Sequence, residues 1–338
     1  MFKNTITFVK KKLMKRPSQS QSNLPVSALT RDHIIWAYRL FLEREPESEQ
    51  VIQEKLSGLR SIAELRTNLL ISDEFLYRNT LPSAFNATVI VIKELEHGLR
   101  LYIDLSDEDI GVNIALGCYE KAETSFISQW VKANQTVLDI GANIGYFTIL
   151  LAHLVGDKGH VYVFEPLKRN MSLLLQSIAE NNFADRATIV QGAVGNYEGM
   201  VELISPRTTH NWGGPYLRTN ATFIPDGHIA ESVRIIPLDH YSMLRPINFI
   251  KIDIEGAELL ALMGAKMILQ EDRPLILAEV NPVQLQKVSG CTANEFIMFL
   301  QSLQYRCYLL GEDGIEGEIS HYERDDIKNV IFSAQNLS

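Results

Sequence analysis

One segment limits the fold more than any other. Thr136-Val137-Leu138-Asp139-Ile140 is a short apolar run that ends beside an acid, and Gly141-Ala142-Asn143-Ile144-Gly145 follows it. Tyr146–Val155 then supplies ten almost wholly apolar residues. A strand, a glycine-bounded turn and a helix with no polar face can only be buried, with the helix packed on a sheet. The pattern repeats. Strands are expected at 136–140, 160–164, 187–191, 248–253 and 275–280, and helices at 120–131, 145–155, 167–181, 257–269 and 292–303. Alternation of this kind gives a parallel sheet with helices on both faces. Tyr305–Leu310 and Val330–Ser333 add two late strands, read as a terminal hairpin. An earlier hairpin joins Val89–Ile92 to Leu99–Ile103 around His97-Gly98.

The preceding residues have a different composition. Residues 1–16 carry six Lys/Arg and no acid, with Phe2, Ile6, Val9 and Leu13 at helical spacing. The run reads either as a basic amphipathic helix on an anionic membrane or as a solvated tail. It lacks the compact apolar stretch of a secretory signal. Residues 17–29 form a Ser/Gln/Pro linker. Residues 30–85 are expected to be helical: Thr30 caps a first helix, a second run ends near Gly58, a third starts at Ser61 with Glu64, and a last one begins at Ser72. The three-part division is therefore 1–29, 30–85 and 86–338. The net charge of −9 argues against a nucleic-acid partner. Three scattered cysteines, Cys118, Cys291 and Cys307, fit a reducing compartment, so the cytoplasm is expected, with contact at the inner membrane face through residues 1–16.

The turn after Asp139 narrows the ligand. A dinucleotide site uses Gly-x-Gly-x-x-Gly to bring a helix N-terminus to a pyrophosphate. Here the middle glycine is missing, and an acid stands two residues before Gly141. That carboxylate repels pyrophosphate and suits a cationic amino group. S-adenosyl-L-methionine has no phosphate and carries an ammonium and a sulfonium. Glu165 ends the next strand twenty residues after Gly145, where an acid can hold ribose hydroxyls. Ala193, after the third strand, falls where adenine would lie. The expected cofactor contacts are Asp139, Gly141, Asn143, Gly145, Glu165 and Ala193.

Together with Lys251-Ile252-Asp253-Ile254-Glu255-Gly256-Ala257-Glu258, these motifs make residues 110–333 resemble the FkbM-type methyltransferase family. The resemblance implies a class I methyltransferase fold, α/β and Rossmann-like, with a seven-stranded, mostly parallel sheet after a small all-helical domain. It implies that Tyr119 and Glu120, in Gly117-Cys118-Tyr119-Glu120, help close over the cofactor. It also implies O-methylation of a sugar, polyketide or other small molecule. Leu275–Pro282 resembles the family's fifth strand, where Asn281 replaces a common histidine; Glu279 and Asn281 are expected at the substrate. Residues 30–85 resemble a small helical domain of unknown function found on bacterial glycan-modifying enzymes.

Catalytic candidates come from the fourth strand. Lys251, Asp253 and Glu255 alternate, so they share one side of its carboxyl end. Asp253 is expected to be the general base or methyl-site carboxylate, with Lys251 and Glu255 orienting the site. His210 is the other candidate base. It lies in the segment Thr208–Pro215, inside an insertion between the third and fourth core strands, read as a lid or substrate loop in which Asn211 and Trp212 grip the acceptor. Asp253, Glu255 and Glu279 offer hard ligands for magnesium, but no metal is assigned. The leading acceptor is a carbohydrate or glycan precursor. A lipid or polyketide hydroxyl at a membrane is the alternative. A third reading is an assembly protein with a vestigial fold, docking partners through residues 30–85.

Overall fold

Apolar residues three and four apart build the first unit. The computed structural model describes residues 29–42, 44–59, 61–70, 89–107, 109–206, 214–219 and 224–337. They divide into one unit that ends at Ala87 and another that runs from Thr88 to Ser338. In the first, α1 (Arg31–Leu42), α2 (Glu49–Gly58) and α3 (Ile62–Leu70) bury Ile34, Tyr38, Leu42, Ile52, Leu65 and Leu69 together. Hydroxyl caps start all three helices. Thr30 Oγ1 accepts from the His33 amide, Ser48 Oγ from Val51 and Ser61 Oγ from Glu64. The basic run, most of the linker and the helix expected from Ser72 lie outside the described residues.

The second unit opens with an antiparallel hairpin, β1 (Ile90–Glu94) and β2 (Arg100–Asp104), and two helices, α4 (Gly111–Ala115) and α5 (Lys121–Trp130). Alternation then sets in: β3 (Thr136–Ile140), α6 (Tyr146–Val155), β4 (His160–Glu165), α7 (Lys168–Glu180) and β5 (Ala187–Gln191). Four further strands follow, β6 (Ala193–Val194), β7 (Gly199–Pro206), β8 (Tyr216–Arg218) and β9 (His228–Ile236). The chain returns through β10 (Ile247–Ile252), α8 (Glu258–Met263), α9 (Lys266–Glu271), β11 (Leu275–Val280), α10 (Pro282–Val288) and α11 (Ala293–Ser302). It finishes with β12 (Arg306–Gly311), β13 (Gly314–Ile319) and β14 (Lys328–Ser333). No helix among the described residues is long and apolar enough to cross a membrane.

The main sheet runs β13-β12-β14-β11-β10-β3-β4-β5. Strands β11, β10, β3, β4 and β5 are parallel, while β14 and the two beyond it are antiparallel. Strand residues alternate between two cores. Val137, Val161, Val163 and Phe249 meet α5, α6 and α7 on one face; Leu138, Ile140, Phe164, Ile250 and Ile276 meet α8, α9 and α11 on the other. The order reverses between β3 and β10, which opens a crevice beyond their carboxyl ends. The hairpin is tied to α7, where Ser177 Oγ accepts from the Tyr102 amide at 2.9 Å and Asn181 Oδ1 from Arg100 at 2.9 Å.

Two expectations need correction. The main sheet has eight strands, not seven, and β14 sits between β11 and β12, so the end of the chain is more than a hairpin. The extra strand β13 is Gly- and Glu-rich and pairs only at the sheet edge, so its sequence lacks apolar alternation. The helix expected at 257–269 is two helices. Asp239 caps the second by accepting from the Met267 and Ile268 amides, and Gly264 between them lies against the main chain of Gly195. The insertion between β5 and β10 holds a sheet of its own, β6-β9-β7-β8, with Val201, Leu203, Tyr216, Leu217, Val233 and Ile235 in its core, while most of the segment read as a lid, residues 207–213, lies outside the described residues.

The Gly264 contact sets the joint between α8 and α9 against the chain that follows β6 and leaves no room for a side chain. Its φ of −82° suits any residue, but an added Cβ would stand 2.0 Å from the Gly195 carbonyl oxygen. Gly264→Ala is therefore expected to destabilise the protein by about 1–3 kcal/mol. Thermal unfolding should show a Tm lower by about 2–4 °C per kcal/mol; an unchanged Tm would show that the contact gives way freely.

Candidate active site

The crevice is a cavity of about 340 Å3, within the range of small-molecule sites. The turn after β3 forms its near wall. Gly141 takes φ 82°, and a Cβ there would come 2.0 Å from the Asp253 carbonyl oxygen. Only glycine lets the ends of β3 and β10 approach so closely. Asn143, also left-handed at φ 51°, lines the cavity. Its Oδ1 is buried and has no hydrogen-bond partner among the described residues.

Glu165 lines the next wall at the end of β4. The Asn143 amide donates to its Oε2 at 2.8 Å, and the Leu167 amide to its Oε1 at 2.9 Å. Asn170 Nδ2, from the first turn of α7, donates to Oε1 at 3.4 Å. Burial raises the Glu165 carboxyl to about 7, against the pull of these donors. Ala193 and Leu167 supply the apolar side. Aromatic rings close the far side: Tyr119 meets Tyr146 edge-on at 5.1 Å, and Phe147 lies below.

The floor is charged. Lys251 Nζ sits 3.3 Å from Asp253 Oδ2 and 5.0 Å from the centre of the Phe147 ring. The Lys251 side chain is 9% exposed and that of Asp253 39%, so Asp253 is the member of the pair that a ligand can reach. Burial alone would depress the Lys251 ammonium, but Asp253, Asp139 and Glu120 outweigh it and hold its pKa above the ordinary lysine value. Glu255, left-handed at φ 53°, stands beside Asp253. Gln284 Nε2 donates to its Oε2 at 3.5 Å. Glu258 steadies this loop by accepting from the Ile254 amide at 2.9 Å and from Gly256 at 3.3 Å. Glu279, from β11, completes the floor. Among the described residues, no three His, Cys, Asp or Glu side chains are placed to hold a metal ion.

The structure thus brings Tyr119, Glu120, Gly141, Asn143, Glu165, Ala193, Lys251, Asp253, Glu255 and Glu279 to one cavity. Three expected residues are absent from its lining. Asp139 is fully buried behind it, accepts from Thr148 Oγ1 at 2.5 Å and faces Lys251, which already supplies the cation its carboxylate needs. Gly145 lies under Leu174, whose Cδ1 would be 2.4 Å from an added Cβ. Asn281 caps α10 by accepting from the Gln284 amide at 3.2 Å, so its side chain is spent on the helix. His210, Asn211 and Trp212 lie outside the described residues. Sequence reasoning missed Asn170, Tyr146 and Phe147, all in first helical turns after the motif strands. It also missed Leu217, which the second sheet carries to the cavity, while Gly214 and Pro215, the end of the segment read as a lid, reach the lining as well.

The buried acids have a consequence for stability. Burial is the largest cause in each case and raises Asp107 to about 6, Glu258 to about 7, Glu120 and Glu255 to about 8 and Glu279 to about 10. Each keeps its proton more tightly in the folded chain than in the unfolded one. Their stabilising effect is full below the ordinary carboxyl range and is lost as pH rises through these folded values. The Tm of the ligand-free protein is therefore expected to fall from about pH 5 to about pH 9, and less steeply in Glu279→Gln. A Tm that rises over this range would contradict the assignment.

Comparison with known proteins places the chain. The methyltransferase FkbM domain matches residues 139–307, half of the chain. No curated protein matches it. Among solved structures it is similar to a methyltransferase FkbM from Methylobacillus flagellatus, with 18% identity and a TM-score of 0.40 over 88% of this chain. The chain spans 58% of that protein's length. It is also similar to an O-methyltransferase from Bacillus cereus in complex with SAH, with 16% identity and a TM-score of 0.38, covering 65% of this chain and 86% of that one. The matched half begins at Asp139, the acid of β3, and takes in Glu165, Lys251, Asp253 and Glu279. The chain belongs to the FkbM family of S-adenosylmethionine-dependent methyltransferases.

Proposed function

We propose that the chain methylates a hydroxyl group of a carbohydrate or glycan precursor, with Asp253 as the general base. The observation that carries this reading is the Lys251–Asp253 pair, whose open member lies on the cavity floor at the carboxyl end of β10. When bound, S-adenosylmethionine supplies an activated methyl group on a sulfonium centre. The residues present suit it. Glu165, held by three N–H donors, keeps lone pairs for ribose hydroxyls, and the unpartnered Asn143 Oδ1 offers an acceptor. Ala193 and Leu167 give an apolar seat for a base. Asp139 acts one layer back, holding Lys251 in place.

An alcohol is a poor nucleophile until its proton is taken. Asp253 Oδ2 is paired with Lys251, which leaves Oδ1 to accept that proton. Glu255 and Glu279 are pushed up to about 8 and about 10, so at neutral pH they carry protons and donate hydrogen bonds to a polyhydroxylated acceptor. Their contribution is orientation, which in-line transfer rewards strongly. The carbohydrate class is supported by this hydrogen-bonding floor and by the resemblance of residues 30–85 to domains on glycan-modifying enzymes.

Transfer of a labelled methyl group should be screened across free sugars, nucleotide sugars and lipid-linked glycans. With the acceptor found, Asp253→Asn is expected to bind the cofactor as the parent does while kcat falls by about 10²–10⁴-fold. Full activity in that variant would end the general-base role. Labelling of amine groups alone would end the O-methylation reading.

A further inference from the structure

Three aromatic rings share one corner of the cavity wall. Tyr119 comes from the chain just before α5, and Tyr146 and Phe147 from the first turn of α6. All three line the cavity. Tyr119 meets Tyr146 at 5.1 Å and 76°, Tyr146 meets Phe147 at 5.1 Å and 87°, and Tyr119 lies 6.4 Å from Phe147 at 40°. Phe147 is buried, while Tyr119 and Tyr146 are half-buried. The rings are held from outside. Glu120 takes the left-handed region at φ 38°, which turns the chain between Tyr119 and α5. Thr124 Oγ1 donates to the Glu120 carbonyl at 2.7 Å, so the Tyr146 hydroxyl is left as the donor in its 3.1 Å bond to the same oxygen.

Packing alone asks only for apolar bulk, and two observations give this corner more to do. One of the rings already serves a cation: Lys251 Nζ stands over Phe147, 5.0 Å from its centre. The corner also adjoins the reactive end of the cavity, because the same Nζ lies 3.3 Å from Asp253 Oδ2. A sulfonium has no N–H or O–H to donate, and its positive charge spreads over the attached carbons. A ring face suits it, as it suits a quaternary ammonium, and the attraction grows where water is excluded.

We propose that Tyr119, Tyr146 and Phe147 form an aromatic seat for the sulfonium and thereby set a preference for S-adenosylmethionine over S-adenosylhomocysteine. The attraction ends when the methyl group leaves, because the thioether product is uncharged. The rings therefore hold the methyl donor and let the product go. Tyr119 and Tyr146 carry the discrimination, since Lys251 already engages Phe147. The proposal rests on the reactive end of the cofactor lying toward Asp253 and not on the identity of the acceptor.

Calorimetry on the full chain tests it, with both nucleosides. They share their adenosine and amino-acid ends, so contacts to those groups cancel in the ratio of the two affinities. Tyr119→Leu keeps apolar bulk without a ring face. It is expected to lower the preference for S-adenosylmethionine by roughly five- to thirtyfold, through weaker binding of that nucleoside alone. Tyr146→Leu should lower it in the same direction. Tyr119→Phe keeps the face and should retain the wild-type ratio to within about twofold. A graded series isolates the rings from the acidic floor, which also attracts a cation. Tyr119→Phe carrying one, two and then three ring fluorines loses π density with little change of shape, and the carboxylates stay as they are. Affinity for S-adenosylmethionine should fall stepwise along that series while affinity for S-adenosylhomocysteine holds. A ratio that stays constant along the fluorine series, or in both leucine variants, overturns the proposal. Equal weakening of both nucleosides in the leucine variants would assign the rings to packing, overturning the proposal while the cavity assignment stands. Failure of the wild-type protein to bind either nucleoside overturns the cavity assignment and the proposal with it.

Discussion

The site depends on one buried cation. Lys251 lies opposite Asp139 in the parallel pairing of β10 with β3, so the two side chains stand on the same face of the sheet. An unpaired charge in either place would carry a heavy desolvation cost. Together they offset it, with Thr148 donating to Asp139 and Asp253 taking the outer side of Lys251. The arrangement joins the two strand ends at which the sheet order reverses. Loss of one member would leave a buried charge uncompensated just where the turns after β3 and β10 touch, at Gly141 and the Asp253 carbonyl.

Everything around that core serves to aim side chains. Three lining residues that are not glycine, Glu120, Asn143 and Glu255, have positive φ. Such backbone costs free energy and persists where packing enforces it. Here the enforcing contacts are visible. Glu258 gathers the amides of Ile254 and Gly256, and Ser289 Oγ donates to the Gly256 carbonyl. A Cβ on Gly256 would meet the Gln284 carbonyl at 2.2 Å. The second sheet is bolted to the same helix. Lys287 stacks on Tyr216, and Thr219 Oγ1 donates to the Val288 carbonyl at 2.5 Å. Strand β8 thereby brings Pro215 and Leu217 to the cavity from outside the α/β core.

The parallel strands and most of their helices were legible because each carries its own signal. Strands β3, β5 and β11 fall on the expected residues, since strands buried on both faces read as short apolar runs. What escaped depends on partners distant in sequence. The break between α8 and α9 is set by Asp239 and Gly195, neither of which lies in those helices. The second sheet is written in weaker alternation, because its outer face meets water and its β7 and β9 partners are separated by residues 207–227. In the cavity, spacing brought Glu165, Lys251, Asp253 and Glu255 to one lining, since strand ends project predictably. It set Asp139 at the ligand, whereas the structure buries it behind the lining, where a lysine from another strand faces it. Asn281 went the same way: a short helix begins after it and takes its oxygen.

The central claim is that the cofactor lies along the Gly141–Glu165 wall with its reactive end toward Lys251 and Asp253. A crystal structure of the protein soaked or co-crystallised with S-adenosylhomocysteine tests it most directly. The account requires the ribose hydroxyls on the Glu165 carboxylate, the adenine beside Ala193 and the sulfur facing the Asp253 side of the cavity. A nucleoside bound elsewhere, or one seated here with its sulfur turned away from Asp253, would contradict it.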